Sequence, residues 1–232
     1  MKIIVDGMGG DNSPKEIVKG CVDAVKELDL NLIIVGVKEI IEKELTKYEF
    51  PQENIDIINA TEVITNDDEP VLAIRRKKDS SMVVGLKALA EGKGSGFVSA
   101  GSTGALLTGG LFIVKRIKGI ERAALATVYP TTNGISFLLD VGANVDCKPE
   151  YLKQFAIMGS VYSEKVLGVK FPKIGLANIG TEKGKGNLLI REAYELIEDS
   201  NINFIGNVEV RDVPKGIADV IVSDGFVGNV ML

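Results

Sequence analysis

The sequence predicts an α/β protein, with a layered, largely parallel sheet and helices on its faces. Three observations predict it. Short β-branched apolar runs alternate with longer segments of helical periodicity along the whole chain. Glycine and small polar residues cluster directly after the apolar runs, where strand-to-helix turns belong. The 232 residues are 45% apolar and 25% charged, the balance of a globular chain with its own hydrophobic core.

Taken in order, Lys2 to Asp6 is an apolar run closed by Gly7 and reads as a buried strand. Gly7 to Ser13 is a loop. Pro14 stands where a helix begins, with Ser13 as its cap. Ile17, Val18, Cys21, Val25 and Leu28 recur at helical spacing, which makes Cys21 a core residue. A strand over 31–36, a helix over 38–48 and a strand over 54–59 follow. Helices over 68–78 and 80–91 come next, then a strand over 96–100 and a helix over 103–115. Strands at 125–129 and 135–140 precede a long helix over 149–167. A strand at 173–177, a helix over 187–199 and strands at 202–205 and 219–223 complete the pattern. No repeat or low-complexity linker interrupts it. Residues 1–232 therefore read as one α/β unit, or as two lobes with a soft border near residue 130.

Composition removes several function classes. Lys plus Arg is 27 against 32 Asp plus Glu, a net charge of −5, which argues against a basic face for nucleic acid. Two cysteines, Cys21 and Cys147, make no disulfide framework and fit a reducing cytoplasm. The chain has no histidine, so Ser-His and Cys-His catalysis and His-based metal sites are excluded. The first apolar run stops at Asp6, too soon for a signal peptide. Residues 94–114 are uncharged and long enough to span a bilayer, but more than half are Gly, Ser or Thr. They read as a strand, a glycine turn and a helix start, and no transmembrane segment is expected.

Chemistry is expected at the strand ends, where open α/β sheets bind ligands. Those ends carry Asp6-Gly-Met-Gly-Gly-Asp11, Ser99-Ala-Gly-Ser-Thr-Gly104, Asp140-Val-Gly-Ala-Asn-Val-Asp146, Asn178 to Asn187, and Asp224-Gly-Phe-Val-Gly-Asn229. Glycine lets backbone N–H groups approach a ligand, and helix N-termini favour anions. As a set the five loops point to a common crevice for an anionic ligand; singly, each is equally a tight turn. Gly180 to Gly184-Lys185 is one residue short of a P-loop. The first loop lacks the final glycine of a dinucleotide fingerprint, and Asp11 would repel a pyrophosphate. Arg75 to Lys78, and Lys115, Arg116 and Lys118, form basic runs that read either as solvated helix ends or as a landing site for an acidic partner.

These loops, with Glu69-Pro70, Arg76 to Met82, Leu139 to Glu150, Gln154 to Gly159 and Asn178-Ile-Gly-Thr-Glu182, carry a resemblance over essentially the whole chain. The chain resembles the bacterial PlsX-type phosphate acyltransferases of fatty acid and phospholipid synthesis. The resemblance implies a fold like that of the isocitrate and isopropylmalate dehydrogenases, without their cofactor. It implies transfer of a fatty acyl group from acyl carrier protein to inorganic phosphate, giving acyl phosphate, by a cytoplasmic homodimer working near the membrane surface. Ser102 departs from the family's usual Asn, Gly184 from a frequent charged residue, and Val210 from a small one. The family continues through further helices beyond the equivalent of Leu232, so the resemblance also implies C-terminal truncation.

The chemistry so implied suits a chain without histidine. Phosphate is substantially dianionic near neutral pH and can attack a thioester without a protein base. What the protein must supply is a phosphate cradle, alignment and donors for the developing oxyanion. Lys185 is the expected charge partner of phosphate or oxyanion, ahead of Lys183, with Asn229 and Asn178 as orienting amides. Gly9, Gly10, Gly101, Ser102, Thr103, Gly104 and Asn144 are the expected phosphate- and substrate-binding residues, with Lys183. Asp6, Asp146 and Asp224 are expected to support the site as braces rather than acids. Cys147 precedes a helix N-terminus, a position that lowers a thiol pKa, yet a direct attack by phosphate makes an acyl-enzyme unnecessary. No metal, nucleotide or flavin is expected. The expected partners are acyl carrier protein, phosphate and a second copy of the chain, with peripheral membrane association and no nucleic acid. The competing readings are a phosphate acetyltransferase-like enzyme using acyl-coenzyme A and a catalytically inactive anion-binding fragment.

Overall fold

Two separate sheets organise the chain in a computed structural model that describes residues 1–232. The chain divides into two compact units, Met1–Lys115 and Arg116–Leu232. In the first, β1 (Lys2–Asp6), α1 (Lys15–Leu28), β2 (Asn31–Gly36), α2 (Lys38–Leu45) and β3 (Ile55–Asn59) are followed by α3 (Pro70–Arg76), α4 (Ser81–Ala90), β4 (Gly96–Val98) and α5 (Thr103–Gly109). The strand order is β3-β2-β1-β4, and every pairing is parallel.

Parallel strands need crossover helices, and those helices cover both faces of the sheet. In β2, Leu32 and Ile34 point to one face, where they meet Val18, Cys21, Val22 and Val25 of α1 and Ile41 and Leu45 of α2. Ile33 and Val35 point to the other, with Ile4 of β1 and Ala88 of α4. That two-sided burial is why β2 reads as a continuous apolar run. Leu28, placed on the core stripe by spacing, is 63% exposed because α1 ends there on left-handed Asp29.

The second unit contains β5 (Ala126–Thr131), β6 (Gly134–Leu139), α6 (Pro149–Lys165), β7 (Ile174–Asn178), α7 (Leu188–Glu198), β8 (Phe204–Glu209), β9 (Val220–Val222) and α8 (Gly225–Met231). Its order is β5-β6-β9-β7-β8, parallel except for the β5–β6 hairpin. Leu152 and Phe155 of α6 and Ile190 and Ile197 of α7 pack on Ile174, Leu176, Val220 and Val222. Fully burying a side chain such as Phe155 contributes about 1.5–3 kcal/mol. The opposite face joins Leu138, Ala177, Val208 and Ile221 to Val213, Val227 and Met231.

Several local expectations change. The division falls at Lys115/Arg116, whereas residue 130 lies inside the β5–β6 hairpin, whose strands pair within one sheet. Ser13 does not cap α1: its hydroxyl donates to the Met8 carbonyl at 2.8 Å, and the helix has no side-chain cap. The helix expected over 103–115 is α5 followed by a π turn, Gly110–Val114. The strand expected over 202–205 begins at Phe204 and runs to Glu209, because β7 offers pairing partners as far as Asn178. Val210–Lys215, unassigned by periodicity, is a 3-10 helix. The uncharged stretch 94–114 is divided among β4, α5 and the π turn, and no helix is long and apolar enough to cross a membrane.

Candidate functional site

In the first unit a buried carboxylate ties two strand-end loops together. Asp6, at the end of β1, is 2% exposed. It accepts the Met8 N–H at 3.2 Å and the Ser99 hydroxyl at 2.8 Å. Ser99 in turn accepts the Gly101 N–H at 3.1 Å. The loops after β1 and β4 are thus one hydrogen-bonded assembly, reachable because those strands are parallel neighbours. Gly9 sits so close that a Cβ there would stand 2.6 Å from an Asp6 oxygen and 3.0 Å from the Gly101 nitrogen. Gly10, at φ +92°, lies against the Ala100 carbonyl. Ser102 caps α5 by accepting the Ala105 N–H at 3.4 Å, Thr103 opens that helix, and Gly104 packs on Pro70. Neither loop contains a cation.

The second unit uses the same device more heavily. Asp140, directly after β6, is fully buried. Its carboxylate accepts the N–H groups of Leu125 at 2.9 Å, Ala143 at 3.0 Å and Asn144 at 2.7 Å, and the Asn144 side-chain amide at 2.8 Å. The same Asn144 amide also donates to the Ala123 carbonyl at 2.8 Å. The structure therefore gives Asn144 a bracing part in place of an amide free for phosphate. Asp146 is exposed and forms no salt bridge; the bracing expected of it falls to Asp140, whose side chain turns into the protein.

Helix α8 docks on this loop through its glycines. The Gly225 N–H donates to the Asn144 carbonyl at 2.7 Å. A Cβ on Gly228 would stand 1.7 Å from the Asp140 carbonyl oxygen, so no larger residue fits. Asp224 caps the helix by accepting the Val227 N–H at 2.8 Å. The Asn229 amide donates to the Val141 carbonyl at 3.2 Å. The i, i+3 glycine pair thus records helix-on-backbone packing, a signal that reading these glycines as anion contacts passed over.

The loop after β7 is held from two strands. The Asn178 amide donates to the Lys185 carbonyl at 3.1 Å, and its oxygen accepts the Ile179 N–H at 2.8 Å. Asn207, on the neighbouring β8, donates to the Glu182 carbonyl at 2.8 Å. Asn187 caps α7 by accepting the Ile190 N–H at 3.0 Å. Gly186, at φ +92°, lets the chain pass Asn178, where a Cβ would stand 2.6 Å from the amide oxygen. The two lysines of the loop separate. Lys183 is ion-paired to Glu198 and lies 5.2 Å from the Tyr194 ring centroid. The hydrogen bond to Glu198 raises its pKa. Lys185 is exposed and belongs to no salt bridge, the one such cation in the five strand-end loops.

Cys147 packs against the α6–α7 core, its thiol 3.4 Å from the Asn144 carbonyl. Burial, then the Asp140 and Asp224 charges, push its pKa up to about 11, so the expected helix-terminus lowering does not prevail. Burial pushes Cys21 up to about 12. No group of three or more His, Cys, Asp or Glu residues is placed to hold a metal ion. Asp140, Asn207 and Ser99 were missing from the expected site. Ser99 and Asp140 stood only as the first residues of their loops, and nothing in the sequence distinguishes Asn207 from an ordinary strand residue.

Fold and loops together define a histidine-free α/β protein with glycine- and amide-lined loops at the carboxyl ends of parallel strands. All residues, 1–232, match the family described as fatty acid synthesis protein. The chain is 56% identical over 232 residues to the phosphate acyltransferase of Alkaliphilus oremlandii (strain OhILAs), spanning 100% of this chain and 69% of that protein. It is 53% identical over 233 residues to the phosphate acyltransferase of Clostridioides difficile (strain 630), spanning 100% and 68%. Among solved structures, a phosphotransacetylase from Streptococcus pyogenes superposes with a TM-score of 0.73 at 22% identity, over 99% of this chain and 79% of that one. A 4-hydroxythreonine-4-phosphate dehydrogenase from Klebsiella pneumoniae superposes with a TM-score of 0.58 at 13% identity, over 95% and 80%. These two are likenesses of fold, shared by phosphotransacylases and a dehydrogenase. The chain belongs to the fatty acid synthesis protein family, whose relatives here are phosphate acyltransferases. It is a transferase that moves an acyl group to phosphate.

Proposed function

We propose that the acyl donor is a long-chain acyl-acyl carrier protein and that the product is an acyl phosphate for phospholipid synthesis. A phosphate oxygen attacks the thioester carbonyl carbon, a C–O bond forms, the C–S bond breaks, and the carrier thiolate leaves and takes up a proton. The dianionic nucleophile needs no base, in keeping with a chain that has no histidine. Lys185 is the charge partner of phosphate or of the oxyanion. The observation that carries this assignment is its freedom from ion pairing beside a neighbour, Lys183, that is engaged with Glu198. Asn178 keeps Lys185 in place through the backbone, and Asn229 orients the loop after β6. One well-aimed oxyanion donor contributes about 2.7–4 kcal/mol, and alignment of two reactants up to roughly 7–11 kcal/mol.

In the first unit, Gly9, Gly10 and Thr103 supply backbone and hydroxyl donors around the Asp6 brace, with Gly101, whose N–H is held by Ser99, leaving room for close approach and Ser102 and Gly104 shaping the turn into α5. The runs Arg75–Lys78 and Lys115–Lys118 receive the acidic carrier, although Lys77 is already bound to Asp68 at 2.6 Å and to the Val63 carbonyl at 2.8 Å. The working form is a cytoplasmic homodimer at the membrane surface, checked by sedimentation and liposome flotation. The deciding experiment mixes the chain with long-chain acyl carrier protein and phosphate and traps acyl phosphate with hydroxylamine. Phosphate-dependent hydroxamate with the carrier donor and little with acyl-coenzyme A supports the reading. The reverse preference favours the second reading, a coenzyme A-dependent transacylase. Phosphate binding without turnover with either donor marks an inactive anion-binding form.

A further inference from the structure

A cleft of about 580 Å³ opens in the second unit, lined by Arg116, Gly119, Ile120, Glu121, Arg122 and Tyr151. None of the five strand-end loops contributes to it. Two arginines line it, and neither belongs to a salt bridge. Arg116 donates to the Glu121 carbonyl. Arg122 lies over the Tyr151 ring, 5.6 Å from its centroid, on a side chain that is 8% exposed and hence rigid. Gln154 of α6 clamps the segment between them, accepting the Glu121 N–H at 2.8 Å and donating to the Gly119 carbonyl at 3.5 Å. Two arginines lining one cleft, with a single carboxylate beside them, suit a phosphate ester. A guanidinium offers phosphate a planar, bidentate fork, and stacking on an aromatic ring limits the entropy lost in using it.

The same segment continues into the braced loop. Ala123, next to Arg122, accepts the Asn144 amide at 2.8 Å, and the Leu125 N–H binds Asp140 at 2.9 Å. An anion in the cleft is therefore held on the strap that is pinned to the loop after β6. We propose that this cleft binds the phosphate of the acyl donor's pantetheine arm, so that Arg116 and Arg122 select phosphorylated thioesters. The proposal rests on the acyl-transfer reading and specifies its donor chemistry. A phosphorylated pantetheine has two sources, the phosphodiester of a carrier protein and the diphosphate of coenzyme A.

The test is calorimetric titration of the chain with 4′-phosphopantetheine and with pantetheine. The wild-type chain is expected to bind the phosphorylated compound at least tenfold more tightly. The double variant Arg116→Gln/Arg122→Gln should lose that preference, and Lys165→Gln, at the other end of α6, should keep it. Arg122→Lys, which keeps the charge but not the fork, should fall between. In turnover assays the double variant should raise the KM for acyl carrier protein if the phosphodiester is the group read, or for acyl-coenzyme A if the diphosphate is. An unchanged KM for both donors, no preference in the wild type, or a preference retained by the double variant overturns the proposal. If no donor yields acyl phosphate while the binding preference is present and lost in the double variant, the cleft stands and the acyl-transfer reading falls.

Discussion

Both units place a buried carboxylate just where a central strand ends, but they load it differently. Asp6 in the first unit takes one backbone N–H and one hydroxyl. Asp140 in the second takes four N–H donors from three residues. The loops after β1 and β4 hold no cation, so an anion there meets backbone, hydroxyl and amide groups but no positively charged side chain. The second unit adds side-chain amides and the unpaired Lys185. One architecture thus carries two kinds of loop: a glycine-rich, hydroxyl-tied pair on one sheet and a cation-bearing, side-chain-braced loop on the other. The rigidity of the second unit's loops depends on Asp140 far more than that of the first unit's on Asp6.

Removing each brace tests that difference most severely. Asp140→Ala strands four donors in a buried site and should destabilise the second unit by about 4 kcal/mol or more, whereas Asp6→Ala should cost about 2 kcal/mol. Urea unfolding followed by tyrosine fluorescence and circular dichroism gives both numbers, and equal losses would break the comparison. Close backbone packing comes next. Gly228→Ala meets the Asp140 carbonyl and should cost roughly 3 kcal/mol by lifting α8 from its loop, while Gly101→Ala, whose nearest neighbour is 3.3 Å away, should cost about 1 kcal/mol. Amide exchange at residues 225–231 checks the lifting directly.

The two lysines sharpen the chemical half of the comparison. Lys185→Ala should lower kcat about 100-fold, the scale of one lost transition-state donor. Lys183→Ala should change it less than threefold, because that ammonium is committed to Glu198. Steady-state kinetics in varied phosphate decide it, and equal losses would move the charge-partner role away from Lys185 alone. The smallest effect is expected at the thiols. Cys21→Ser/Cys147→Ser should retain most turnover, and no acyl adduct should form when phosphate is omitted, as mass spectrometry checks. Both thiols have folded-state pKa values above the usual 9, at about 12 and about 11. The stability tied to their neutral forms is complete below pH 9 and is lost as pH rises through 9 towards those values. Unfolding of wild type and of the Cys21→Ser/Cys147→Ser variant between pH 8 and 11 should show a smaller decline in the variant.

Much of this was legible in the residues themselves. Strand β2 announced itself because, past the exposed Asn31, Leu32 to Gly36 is buried on both faces and carries no polar side chain. Cys21 read correctly as core because helical spacing alone puts it beside Val18 and Val25. The strand-end loops were visible because turns between parallel strands and helices demand glycine and small polar residues. Asn178 and Lys185 were visible as amide and cation, but not the bond from one to the other's carbonyl.

Local pattern determined which segments are strands and helices, since periodicity and turn chemistry act over neighbouring residues. Contacts between segments distant in sequence decided the rest. Asp140 rather than Asp146 became the brace because the chain turns one carboxylate onto Leu125 and leaves the other in solvent. Gly225 and Gly228 became a docking face because α8 returns to a loop about 85 residues earlier, at Asp140 and Asn144. Lys183 and Lys185 parted because α7 carries Glu198 back within reach of only the first. A sequence states what each side chain offers, and only the folded chain settles which offers are already taken.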